Sequence, residues 1–228
     1  MKHKIEVVCA GNLARSPIAE AVGNEYVKQQ GLSDQLEIVS SGAMVDTPLD
    51  YQRAMRFIGL AAALPDAYRT SPSPDGQSLL DEILIGILAN DDTADRYARD
   101  SAYRAAVNAL TTRYREDLRH VGRTMRDLVL GEVGLQYRTD AVQTDARPDV
   151  ALVLGLDSKV TALAKQIYRE SGNQVAVSTL GAYTSMDSEI EDPVGIAIPE
   201  PYRVLRDALI EQMRCAVDRF AGEKRLRT

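Results

Sequence analysis

Scarcity narrows this chain before any motif does. It holds two histidines and two cysteines in 228 residues, so a zinc cage or a Ser-His-Asp triad has almost no material to be built from. His3 and His120 are read as solvated surface residues. Cys9 and Cys215 are expected to stay free thiols in a reducing compartment. No apolar run approaches a membrane span, and the run that follows Met1-Lys2-His3-Lys4 is too short for a signal peptide. A cytoplasmic protein without a membrane partner is the expectation. A basic excess is also missing: the net charge of −6 and the pI near 5.1 speak against a nucleic-acid partner. Neither an internal repeat nor a low-complexity tract is present. The remaining balance, 45% hydrophobic and 26% charged residues, is that of a globular protein with one large or two small domains.

The chemistry concentrates in Val7-Val8-Cys9-Ala10-Gly11-Asn12-Leu13-Ala14-Arg15-Ser16-Pro17. Ile5 to Val8 read as a buried strand, because β-branched residues lie between Lys4 and a glycine-containing turn. Ser16-Pro17 opens a helix, with serine a favoured cap and proline a favoured first residue. Ile18 to Val27 then space apolar residues at helical intervals. Strand, tight loop and helix thus follow in order, with Cys9 at the strand's end and Arg15 just before the helix. A loop entering a helix aims several backbone N–H groups at one spot, here those of Ala10, Gly11, Asn12, Leu13, Ala14, Arg15 and Ser16, and a phosphate dianion fits such a nest. A thiol in the same nest is expected to ionise readily. The planar fork of Arg15 can hold two phosphate oxygens at once. Gly11 and Asn12 tolerate the left-handed backbone that a loop around an anion needs.

Leu36-Glu37-Ile38-Val39 reads as a second strand ended by Ser40-Ser41-Gly42, which makes a parallel strand–helix–strand unit. Ligands gather at the carboxyl ends of such strands, where Cys9, Ser40 and Ser41 would meet. Thr47-Pro48-Leu49 opens a helix to about Ile58-Gly59, and Ser71-Pro72-Ser73-Pro74-Asp75-Gly76 is a turn-rich linker. Ser78 to about Leu135 read as two helices separated by a turn at Asn90-Asp91-Asp92-Thr93, the second and longer one carrying Val107 to Leu128 at three- and four-residue steps. The expected organisation is a core of residues 1–70 and 148–228 with a helical insertion at 71–147. That insertion is a docked structural element, a cap over the site or a homodimerisation element. The core resumes with a strand at Asp149–Leu154 and a helix through Tyr168. A strand at Gln174–Val177 and a closing helix from Tyr202 to about Phe220 follow, with Cys215 read as packing. The fold class expected is α/β, a four-stranded parallel sheet with helices on both faces. Between the last strand and the last helix lies an acidic loop, Met186 to Gly195. Cleaving a phosphate ester with a thiolate needs a proton donor for the leaving oxygen, and Asp192, its backbone fixed by Pro193, is the preferred candidate.

Cys9 to Pro17, followed by Ile18-Ala19-Glu20-Ala21, resembles the signature of the low-molecular-weight protein tyrosine phosphatases. The resemblance implies a flavodoxin-like core, Cys9 as nucleophile, Arg15 as phosphate clamp and Asp192-Pro193 as the acid loop. It also implies that Ser16 donates to the sulfur, that Ser40 or Ser41 buttresses Asn12, and that neither a metal nor another cofactor is required. The implied partner is a phosphorylated protein or a small phosphomonoester, and the bulk of Leu13 is similar to relatives acting on phosphotyrosine. The pattern departs in three places. Val194-Gly195 stand where aromatic residues usually wall the substrate ring, so Tyr51, Tyr183 or the insertion become the candidate wall. Ala14 replaces a second cysteine, so oxidised Cys9 lacks a disulfide rescue. Asp66-Ala67-Tyr68-Arg69-Thr70 matches the family's His-x-Ala-Arg-Gln stretch only loosely and has no histidine. Two alternatives stay open. An arsenate reductase on the same fold would need a relay thiol, for which Cys215 is a poor candidate. A phosphate-recognising interaction module would not need a nucleophile paired with an acid.

Overall fold

The computed structural model describes residues 2–46, 50–69, 74–88, 93–137, 140–186 and 190–226. The expectations for Thr47-Pro48-Leu49, for residues 70–73, for Asn90-Asp91-Asp92 and for Asp187-Ser188-Glu189 lie outside them. Four strands, β1 (His3–Cys9), β2 (Leu36–Gly42), β3 (Val150–Gly155) and β4 (Ala176–Thr179), form one sheet in the order β2-β1-β3-β4. Every neighbouring pair is parallel. The short apolar run read from the sequence becomes β1 in the sheet's interior, as burial of Ile5, Val7 and Val8 requires.

Side chains alternate across the sheet. Val8 packs with Val153 and with Val160, Ala164 and Tyr168 of α6 (Ser158–Glu170). Ile5 is paired with Ile38, which points the other way, toward α1 (Arg15–Gln29). There Gly23 lets the helix approach so closely that an added Cβ would meet Ile38 and Met213. Met213 belongs to α8 (Glu200–Lys224), so α1 and α8 cover one face and α6 the other. The helix α7 (Leu180–Thr184), not expected from the sequence, follows β4 directly. Among the described residues, no helix is long and apolar enough to cross a membrane.

The remaining helices are α2 (Tyr51–Ala62), α3 (Pro74–Leu88), α4 (Thr93–Arg99) and α5 (Ser101–Gly131). The helical stretch holds three helices rather than two, because Asp100 interrupts it. Its carboxylate accepts from the amides of Ala102 and Tyr103 and starts α5 as an N-cap. The chain divides into two compact units. The first is residues 1–47, 123–193 and 198–228, and the second is residues 48–122 and 194–197. These bounds differ from the 71–147 expected for an insertion. Residues 123–147 go with the sheet for two reasons visible in the contacts. Arg206 of α8 donates to the carbonyl of Val129 in the last turns of α5. Farther on, Gly42 at the end of β2 donates to Val142 O and accepts from Thr144 N, a parallel bridge that prolongs the sheet edge.

One residue breaks the apolar pattern of β1. Glu6 is 0% exposed; its Oε2 accepts from Tyr168 at 2.6 Å and its Oε1 has no hydrogen-bond partner. Burial raises its pKa above the ordinary carboxyl value, with the hydrogen bonds from Tyr168 and Ser41 pulling the other way. The neutral form is therefore favoured in the folded state, and its stability contribution is lost as pH rises from the unfolded value through the raised folded one. Glu6→Gln keeps an acceptor for Tyr168 and cannot ionise. At pH 8 it is expected to be more stable than the parent by on the order of 1 kcal/mol in urea unfolding, with the difference vanishing near pH 4. A variant less stable than the parent at pH 8 would show that the ionised carboxylate is favourable there.

Candidate active site

The carboxyl end of β1 delivers Cys9, and the loop after it curls back over the sulfur. Asn12 takes a left-handed conformation, φ 51°, which turns its backbone N–H toward Cys9 Sγ at 3.2 Å. Ser16 in the first turn of α1 donates its hydroxyl to the same sulfur at 3.0 Å. Sulfur thus lies within hydrogen-bond reach of two donors from its own loop. Gly42 closes the loop from below. A Cβ there would lie 2.8 Å from Asn12 N and 2.9 Å from Ala10 O, so this approach of β2 to the loop admits only glycine.

Asn12 ties the loop to its surroundings. Its Nδ2 donates to Ser16 Oγ and to Ser40 Oγ, both at 3.0 Å, and its Oδ1 accepts from Val142 N at 2.8 Å. Of the two serines singled out, Ser40 contacts Asn12. Ser41 instead shares a hydrogen bond with Thr144 at 2.8 Å, and its carbonyl lies 3.1 Å from Ser16 Oγ as an alternative acceptor to the sulfur. Ser40 also meets the Tyr137 hydroxyl at 3.0 Å. Tyr137, Val142 and Thr144 were missed by sequence reasoning. They lie about a hundred residues or more from the loop along the chain, and nothing local marks them.

Arg15 is 4% exposed and held on both sides. Nη1 donates to Asp157 Oδ2 at 2.9 Å and to Ile190 O at 3.0 Å, and Nη2 donates to Asp192 Oδ2 at 2.7 Å. Burial works to lower its pKa, but Asp192, Cys9 and Asp157 outweigh it and raise the value, so the guanidinium stays charged. Its Nε is buried and without a hydrogen-bond partner, an N–H left over for an acceptor. Asp157 serves twice, since its other oxygen caps α6 through Val160 N at 2.8 Å. Sequence reasoning did not single out Asp157, and nothing local marks its grip on Arg15.

The acid loop is pinned at several points. Ile190 N donates to Leu156 O at 3.1 Å, and the fully buried Tyr202 of α8 donates its hydroxyl to Pro193 O at 3.0 Å. Burial and the charge of Asp192 raise the Tyr202 pKa, so this hydroxyl stays a donor. Cys9, Arg15, Ser16 and Asp192 therefore converge. The candidate wall residues each have partners of their own. Tyr183 is 8% exposed, donates to Glu223 at 3.0 Å and lies under the Arg219 guanidinium in the α7–α8 contact. Tyr51 belongs to the second unit, where it bonds Thr93 and packs on Tyr97. Ala14 is buried at the start of α1. Cys215 is free and sits on α8, close enough to Tyr26 of α1 to act on its hydroxyl electrostatically.

A family model described as low molecular weight phosphotyrosine protein phosphatase matches residues 4–58, which span β1, the loop, α1, β2 and the start of α2. No curated protein matches the chain in sequence. Solved structures match over nearly its whole length. A YwlE mutant from Bacillus subtilis is 16% identical, covers 96% of this chain and 99% of its own, and gives a TM-score of 0.55. The arginine phosphatase YwlE from Geobacillus stearothermophilus is 18% identical over 99% and 98%, with a TM-score of 0.54. A protein tyrosine phosphatase from Entamoeba histolytica is 14% identical over 98% and 99%, with a TM-score of 0.56. At these identities the likeness is one of fold, and the fold is the parallel four-stranded one expected.

Proposed function

We propose that this chain, a cysteine-dependent phosphatase of the low-molecular-weight type, hydrolyses phosphomonoesters through a cysteinyl-phosphate, with phosphotyrosine as its preferred substrate. The observation that carries the reading is the convergence on one spot of a twice-bonded sulfur, a buried guanidinium with an unpaired N–H, and a carboxyl group. In the substrate-free arrangement Asp192 occupies Nη2 of Arg15. A phosphate dianion offers that guanidinium a better acceptor pair and leaves the carboxyl free to face the leaving oxygen. The Cys9 thiolate attacks phosphorus in line. The S–P bond forms as the ester P–O bond breaks, Asp192 gives its proton to the departing oxygen, and loop amides with Arg15 hold the equatorial oxygens. Water then attacks phosphorus, its proton passes to the Asp192 carboxylate, and the S–P bond breaks to return the thiolate. Ser16, already donating to sulfur, stabilises it as the leaving group in that second step.

Leu13 supports the phosphotyrosine preference, because a bulky apolar side chain at the loop favours an aryl ring over a charged guanidine. Relative kcat/KM on a phosphotyrosine peptide, a phosphoserine peptide and phosphoarginine tests this. Phosphotyrosine is expected to be fastest, and a higher value for phosphoarginine would overturn the preference while leaving the mechanism intact. The acid role has its own test. Asp192→Asn is expected to lower kcat roughly 10²- to 10⁴-fold for phenyl phosphate and much less for p-nitrophenyl phosphate, whose phenolate leaves unaided. Equal losses on both esters would reject Asp192 as the proton donor.

A further inference from the structure

A second buried guanidinium touches the phosphate loop. Arg126 lies in the last turns of α5 and is 5% exposed. Its Nη1 donates to Leu13 O at 3.3 Å and its Nε to Asp127 Oδ1 at 2.7 Å. The same guanidinium lies 4.7 Å from the centre of the Tyr137 ring. Tyr137 in turn meets Ser40, which accepts from Asn12, and Val142 N donates to Asn12. Arg126 and Val142 therefore hold two consecutive loop residues directly, Leu13 by its carbonyl and Asn12 by its Oδ1, while Tyr137 reaches the Nδ2 end of Asn12 through Ser40.

That grip has physical consequences for an anion site. A loop that turns its N–H groups inward must turn carbonyls outward, and a buried carbonyl without a donor is costly. Arg126 supplies a charged donor to one of them. The Leu13 carbonyl and the Ala14 N–H belong to one peptide group, so a cation on the oxygen polarises the group and strengthens that N–H as a donor. Asn12, meanwhile, holds a left-handed conformation that costs a non-glycine residue about 1 kcal/mol and persists only if its surroundings enforce it.

We propose that Arg126 is a positioning residue of the phosphate loop, acting on the anion through the Leu13 peptide and, over Tyr137 and Ser40, through Asn12. The proposal rests on the phosphatase reading of Cys9. Arg126→Met keeps the side-chain length and removes the charge and the fork. Inorganic phosphate is expected to inhibit that variant roughly tenfold more weakly, with KM for p-nitrophenyl phosphate raised more than kcat is lowered. The ratio of rates on p-nitrophenyl and phenyl phosphate should stay constant, since Asp192 is untouched. Arg126→Lys should recover part of the phosphate affinity, and Tyr137→Phe, which keeps the ring and loses the hydroxyl, should show a smaller shift of the same kind. An active parent whose Arg126→Met variant unfolds at the same urea concentration, with unchanged phosphate inhibition and KM, overturns the proposal. If Arg126→Met does not fold, unchanged phosphate inhibition in both Arg126→Lys and Tyr137→Phe overturns it equally. An inactive parent would instead sink the phosphatase reading, and calorimetric titration with phosphate would still report on the loop.

Discussion

Cys9→Ser is expected to reduce turnover of p-nitrophenyl phosphate by about 10⁴-fold or more. The reason is the acidity of the attacking group. A thiol is by nature a far stronger acid than an alcohol. The donors aimed at Sγ, Asn12 N and Ser16 Oγ, therefore face a group able to supply an anionic nucleophile, whereas a serine hydroxyl is too weak an acid for the same donors to ionise. Phosphate binding should survive, because the loop amides and Arg15 are untouched and a hydroxyl fits where a thiol did. Kinetics with calorimetric phosphate titration would therefore separate the nucleophile from the cradle. Turnover within tenfold of the parent would exclude a cysteinyl-phosphate. Loss of phosphate affinity along with turnover would mean that the loop had collapsed.

Arg15→Lys is the second large effect, expected at roughly 10³-fold in kcat/KM. Arg15 makes three hydrogen bonds, to Asp157, the Ile190 carbonyl and Asp192, and still has Nε to spare. A lysine ammonium is a point charge that can neither span Asp157 and Asp192 nor present a two-pronged face to phosphate. The loss should fall on kcat as well as on phosphate affinity, because charge on the equatorial oxygens is met at the transition state and Asp192 loses the partner that sets its place. Removing the charge altogether adds a stability cost. Arg15→Ala would leave the part-exposed Asp157 and Asp192 without their buried cation, so thermal unfolding must accompany the kinetics. A Lys variant with kcat/KM within tenfold of the parent would show that point charge suffices.

The two predictions differ in how visible their residues were. Cys9, Asn12, Arg15 and Ser16 lie within eight consecutive residues, and a loop of that length between a strand and a helix can close on one anion in only a few ways. Local sequence therefore carried that part of the site. The strands were legible for a similar reason, since each is a short β-branched or apolar run bounded by turn residues. Helix ends were less so: Asp100 splits the helical stretch by a cap that looks like any acidic residue until its carboxylate meets Ala102 and Tyr103. Tyr183 illustrates a different limit, because nothing local to it announces that its hydroxyl bonds Glu223, forty residues away.

By itself the sequence determined the strand–loop–helix that holds Cys9 and Arg15, and the acidic loop from which a proton donor would come, because those properties depend on residues near one another along the chain. Only the tertiary structure decided which serine meets Asn12, that Asp157 shares Arg15 with Asp192, and that Arg126 and Tyr137 reach the loop from beyond residue 120. Those contacts join residues 28 to 177 positions apart, and hydrogen bonds across such distances are set by how the sheet and helices pack, which no local pattern records.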